Sequence, residues 1–156
     1  MQKEISQWSV QPPEGSRLVL CKDLFHWVVS IQGPDTSPGP YPLYKGKEFW
    51  IRVTASSTYP LEPPEVIFVS DTKQGIGIPM HPHVYSNGNI CLDILYSHGD
   101  GGWSPALTIE KIVLSLQSML ASNAVLARPD GDAAYVQANG GKSPKQTRWN
   151  FDDYKV

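Results

Sequence analysis

Long apolar runs are missing from this chain. No segment approaches the roughly 18 residues that a membrane-spanning helix needs, and "MQKEISQWSVQPPEG" at the N-terminus has no apolar core of the secretory kind. A protein of the cytoplasm, the nucleus or both is expected. A basic excess is missing too: thirteen Lys and Arg against fifteen Asp and Glu leave a formal charge of −2. That balance speaks against nucleic acid or an anionic membrane as the partner. Cysteine is scarce. Cys21 and Cys91 stand 70 positions apart without a C-x-x-C pair, which in a reducing compartment argues against a disulfide framework. With no internal repeat and no linker, the 156 residues read as one domain, 1–156, large enough to bury its own core.

Proline and glycine, by contrast, are plentiful, at fourteen and thirteen. They punctuate apolar segments and so mark turns in a folded body. Residues 2–10 predict a short helix with Ile5, Trp8 and Ser9 on one side, stopped by "QPPEG". Strands are expected in "RLVLCKD", in "LFHWVVSIQG" and in "KEFWIRV", where Phe49, Ile51 and Val53 share a face. A fourth, "EVIFVS", is entered through "TYPLEPP", whose prolines deny regular pairing until Glu65. Residues 70–107 carry little regular pattern, and long irregular segments of this kind are often functional. From Thr108, a plausible N-cap, Ile109, Ile112, Val113, Leu116, Met119 and Leu120 recur at helical spacing. "RPDGD" breaks that helix; a short one is expected over 132–138, and another capped start at Ser143. Strands first and helices later predict an α+β fold: a four-stranded antiparallel meander sheet packed on a central helix with flanking helices.

The irregular stretch contains "HPHVYSNGNICLDIL", residues 81–95. Its cysteine has three readings: a zinc ligand with His81, His83 and His98, a reactive thiol, or an inert core residue. Pro82 restrains the chain and no fourth ligand stands at typical spacing, so no metal is expected. Asn87 belongs to a Ser-Asn-Gly turn in which Gly88 would relieve a positive φ. Cys21 follows "LVL" near a strand end and reads as inert.

Gly33-Pro34, "YPLEPP" at 59–64, His81-Pro82, "SNGNICLDIL" at 86–95 and "WSPALTI" at 103–109 occur in this order. In these motifs the chain resembles the ubiquitin-conjugating enzymes over nearly all its length. The resemblance implies that Cys91 accepts ubiquitin from an activating enzyme as a thioester and passes it to an amine of a protein substrate. A RING or U-box ligase would position that substrate, and no cofactor is called for. Thiolate suits the task, being a good nucleophile and a good leaving group.

His81-Pro82-His83 stands where the family usually has His-Pro-Asn. With the ending "SPKQTRWNFDDYKV" it resembles the W-type branch, which modifies the N-terminal α-amino group. Residues 140–156 would then form a mobile C-terminal segment. In the resemblance His81 and Pro82 hold the active-site loop. His83 either donates to the oxyanion formed during attack or shapes that loop. Asp93 makes polar contacts near the thioester. Asp132 falls near the family's acidic gate residue, with Asp130 as a rival. Pro60 and Leu61, with Ser104, Pro105 and Ala106, match the two ligase-binding loops; Glu62 stands where basic residues often occur. Lys3 is the one basic residue of the first helix, which meets the activating enzyme. "YSHGDGG" at 96–102 exceeds the usual link and is either a flap over the thioester or loop variation. Alternatives stay open: lysine-directed conjugation, an inactive ubiquitin-binding scaffold, or a ubiquitin-like modifier as cargo.

Overall fold

Alternating apolar residues build one antiparallel meander. The structure is a computed structural model and describes residues 1–98 and 101–149. Helix α1 (Gln2–Val10) leads into strands β1 (Ser16–Asp23), β2 (His26–Gln32), β3 (Glu48–Thr54) and β4 (Glu65–Val69), paired in the order β1-β2-β3-β4. Val29 stands opposite Ile51, and Ile51 opposite Phe68. Trp27, Val29, Ile31, Phe49, Ile51, Val53, Val66 and Phe68 are thereby all turned into the core. Helix α2 (Ile109–Ala121) adds Ile109, Ile112, Val113, Leu116 and Leu120 to the same core. Each such side chain contributes about 1.5–3 kcal/mol of burial, which is why the helical period after Thr108 is obeyed so closely. Thr108 caps the helix, its hydroxyl accepting the Lys111 N–H at 3.3 Å.

Local chemistry moved several boundaries. Leu24 and Phe25, expected inside the second strand, form a turn because Asp23 Oδ1 accepts the N–H groups of Phe25 and His26 at 2.8 and 2.9 Å. On α1, Trp8 is buried edge-on against Trp27, with ring centroids 6.5 Å apart. Ser9 does not join it: the residue is exposed and its hydroxyl donates to Ile5 O. Cys21, expected to be inert, is an exposed thiol on β1 whose Sγ donates to Asp23 O at 3.4 Å.

The irregular stretch is not structureless. A 3-10 turn, Asp93–Leu95, is followed by a small hairpin of β5 (Ser97–His98) and β6 (Gly101–Gly102). The stretch 96–102, read as either a flap or loop variation, also includes Gly99 and Asp100, which lie outside the described residues. Helix α3 (Asp132–Asn139) comes next. Ser143 does cap a start, accepting the Lys145 N–H, but only one 3-10 turn, Pro144–Gln146, follows before Thr147 becomes extended. The expected mobile segment 140–156 includes residues 150–156, outside the described residues.

Candidate active site

Backbone bonds set the loop that carries Cys91. Val84 bridges to both His81 and Ile90. Cys91 N–H donates to His83 O at 2.8 Å, and Tyr85 N–H to Asn89 O at 2.9 Å. At the tip, Asn87 Oδ1 accepts the Asn89 N–H at 3.1 Å. Gly88 has φ +90°, and a Cβ there would stand 2.0 Å from Phe68 O. Only glycine meets both demands, the positive φ and the close approach. Phe68 N–H in turn donates to Gly88 O, fastening the loop to β4.

His81 is buried, and both ring nitrogens are used by the main chain. Nδ1 accepts the His83 N–H at 2.9 Å, so Nε2 carries the proton and donates to Met119 O at 3.2 Å. Burial pushes its pKa down to about 4, which keeps the ring neutral, while the two main-chain partners select the tautomer. Neither nitrogen remains for a metal, and among the described residues no group of three His, Cys, Asp or Glu converges on one point. His83 is half-buried. Its main chain makes both loop bonds, and its ring lies 5.5 Å from that of His81.

The Cys91 thiol is half-buried. Burial first, then the Asp93 carboxylate, push its pKa up to about 11. The resting group is therefore a thiol, and once ionised it is a strong nucleophile. Asp93 Oδ1 is spent on the Ile94 N–H at 2.6 Å. Asp132 Oδ1 accepts the Ser86 N–H at 2.8 Å, tying the start of α3 to the loop tip. Asp130, its rival, is exposed.

Several residues of this region escaped the sequence. Buried Asn89 donates from Nδ2 to Tyr135 Oη at 2.9 Å, and the Tyr135 and Thr147 hydroxyls share a hydrogen bond at 3.1 Å. Tyr135 stacks on Tyr85 at 3.9 Å, and Trp149 closes the cluster, 5.1 Å from Tyr96. The Tyr96 hydroxyl donates to Ile90 O at 2.5 Å, next to the cysteine. Arg128 donates to Pro79 O, Val84 O and Ile78 O, clamping the loop from beneath. Tyr135 had a signal, standing three residues after Asp132 on one helix face; Arg128 had none.

A family model described as "Ubiquitin-conjugating enzyme" matches residues 1–151. The chain belongs to the ubiquitin-conjugating enzyme family. It is 41% identical to "Ubiquitin-conjugating enzyme 15" of Arabidopsis thaliana, over all of this chain and 88% of that protein. It is 40% identical to "Probable ubiquitin-conjugating enzyme E2 W" of Dictyostelium discoideum, over all of this chain and 95% of the relative. Among solved structures, the E2 UbcA1 of Agrocybe aegerita superposes with a TM-score of 0.78 at 35% identity, covering 92% of this chain and 94% of that one. The protein is thus a transferase acting through a cysteine thioester, and the family's general partners are ubiquitin, an activating enzyme and a ligase.

Elsewhere on this conjugating enzyme a second cluster gathers. Leu61 is 74% exposed, and Pro60, Ser104, Pro105 and Ala106 are exposed as well. Trp103 joins the two loops, its Nε1 donating to Pro60 O at 2.8 Å. Lys3 is exposed on α1. The C-terminal segment is pinned along β4: Ser143 Oγ donates to Glu65 Oε2 at 2.5 Å, and Lys145 Nζ donates to Pro63 O. A cavity of about 580 Å³ opens between these parts, lined by Glu62, Pro63, Tyr96, His98, Lys145 and Trp149 among others.

Proposed function

We propose that Cys91 carries the thioester and that the enzyme's acceptor is an N-terminal α-amino group. The observation that carries the choice of acceptor is the poverty of basic equipment around the thiol. Cys91 has no hydrogen-bonded base among the described residues, and Asp93 and Asp132 each give an oxygen to a backbone N–H. At pH 7.4 an α-amine with a pKa near 7.8 is roughly 30% neutral, while lysine near 10.4 is about 0.1% neutral. An α-amine can therefore attack with little help in losing its proton. A thiol with a raised pKa is also a slow leaving group, so the thioester waits for an amine that is well placed. The W designation of the Dictyostelium discoideum and Caenorhabditis elegans relatives, 40% and 38% identical, supports the same reading.

His81 and Pro82 hold the loop in this reading, as does Asn87 at its tip. His83 shapes it through its main chain. Asp93 keeps the free thiol protonated and Asp132 restrains the loop. Leu61, Pro60 and Ser104 to Ala106 face the ligase, and Lys3 the activating enzyme.

The test charges the enzyme and Cys91→Ala with activating enzyme, ATP and ubiquitin. The adduct is then chased with free lysine or with a lysine-free peptide bearing a free N-terminus. A thiol-sensitive adduct on the wild type only, discharged by the peptide and not by lysine, is expected. Discharge by lysine at a comparable rate overturns the acceptor assignment. Absence of an adduct overturns the carrier assignment and leaves a ubiquitin-binding scaffold.

A further inference from the structure

One carboxylate on the first helix bonds the loop before Leu61 and the start of α2, directly after the second loop. Glu4 Oε1 accepts the Tyr59 hydroxyl at 2.7 Å, and Glu4 Oε2 accepts the Ile109 N–H at 2.9 Å. Its side chain is only 14% exposed, so these bonds are largely shielded from competing water. Tyr59 is the residue before Pro60. Its ring lies against Trp103, with centroids 5.9 Å apart, and Trp103 Nε1 donates to Pro60 O. Ile109 opens α2 directly after the loop containing Ser104, Pro105 and Ala106, and its N–H is one of the orphan donors at a helix start. A negative charge there is further favoured by the helix dipole. Each loop has turn bonds of its own, Leu61 N–H to Thr58 O at 2.8 Å and Leu107 N–H to Ser104 O at 2.9 Å; these shape each loop internally and do not fix it to the first helix.

We propose that Glu4 is the positioning residue of the ligase-facing surface, fixing loop 58–62 against loop 103–108. The proposal rests on the assignment of those loops to ligase binding made above. Glu4 touches neither the thioester nor the ligase contacts Leu61, Pro105 and Ala106; it acts through Tyr59 and Ile109. Burial and the Glu4 charge both raise the Tyr59 phenol above its ordinary value, so its hydroxyl remains a donor throughout the working pH range. Glutamine at this position keeps the shape: its amide oxygen can take the Ile109 N–H, and the Tyr59 hydroxyl can turn to accept from the amide nitrogen. Alanine leaves both donors without a partner.

The experiment compares wild type, Glu4→Ala, Glu4→Gln and Tyr59→Phe, each charged with ubiquitin and discharged to an N-terminal peptide. The titrant is an isolated RING domain chosen because it stimulates the wild type. For Glu4→Ala the half-maximal RING concentration rises about tenfold, with RING-free discharge within about twofold of wild type. Glu4→Gln restores most of the loss, and Tyr59→Phe shows a smaller rise. Amide hydrogen exchange on the uncharged protein, run in parallel, quickens in 58–62 and 103–109 and is unchanged in 81–95. Equal loss of RING-free and RING-stimulated discharge overturns the proposal, as does an unchanged half-maximal concentration. If the wild type itself takes no ubiquitin, the carrier assignment fails. Exchange alone then decides the role of Glu4, unchanged loop protection overturning it.

Discussion

A thiol pushed up to about 11 and an imidazole pushed down to about 4 occupy the same loop, and in both cases burial is the main cause. Asp93 adds its negative charge to the burden on Cys91. Asp93→Asn keeps the acceptor for the Ile94 N–H and removes the charge. It is expected to raise the rate of Cys91 alkylation by iodoacetamide at about pH 8, since removing the second cause of the raised pKa increases the thiolate fraction. An unchanged alkylation pH profile would contradict this. At His81 the folded-state value lies below the unfolded one, so the unfolded chain binds the extra proton. Its contribution is complete above pH 6.5 and is lost as pH falls toward 4. The drop from 6.5 to about 4 corresponds to about 3 kcal/mol. Urea midpoints measured between pH 7 and 4 should fall for wild type and fall less steeply for His81→Asn.

At the level of elements, the restraints that decide the site come in two kinds. The helical period of α2, the Thr108 cap and the alternation in β3 depend on neighbours in sequence, and each is readable from the chain. So is the Ser-Asn-Gly turn, although only the structure reveals how tightly Gly88 approaches β4. Gly88→Ala must relieve both a positive φ and a 2.0 Å encounter with Phe68 O. It is expected to lower stability by more than about 2 kcal/mol in urea unfolding and to abolish thioester formation. Retention of wild-type stability would show that the loop can move off β4 without cost. Other restraints pair residues far apart: Asp132 with Ser86, Tyr135 with Asn89, Arg128 with the 78–84 carbonyls. A polar side chain on an exposed-looking segment gives no sign of its distant partner, and these roles were therefore invisible or misjudged. Ser143, also read from the sequence, caps a start that runs for one 3-10 turn, Pro144–Gln146.

Across the whole molecule, the reactive loop and the surface proposed to face a ligase are separate clusters joined through β4 and the C-terminal segment. Leu61, 74% exposed, can be truncated without opening the core. Leu61→Ala is expected to leave the unfolding midpoint and the rate of charging unchanged while ligase-stimulated discharge falls about tenfold. A parallel loss of charging would mean that Leu61 also supports the fold or the activating-enzyme contact. The bond from Glu4 to Ile109 spans 105 positions of sequence, and that span acts as a clock during synthesis. With the chain growing at about 5–20 residues per second, the first helix and the meander leave the ribosome seconds before the N–H that completes their carboxylate contact. A half-made chain on the ribosome has all four strands of the meander before the contact between its first helix and α2 can exist.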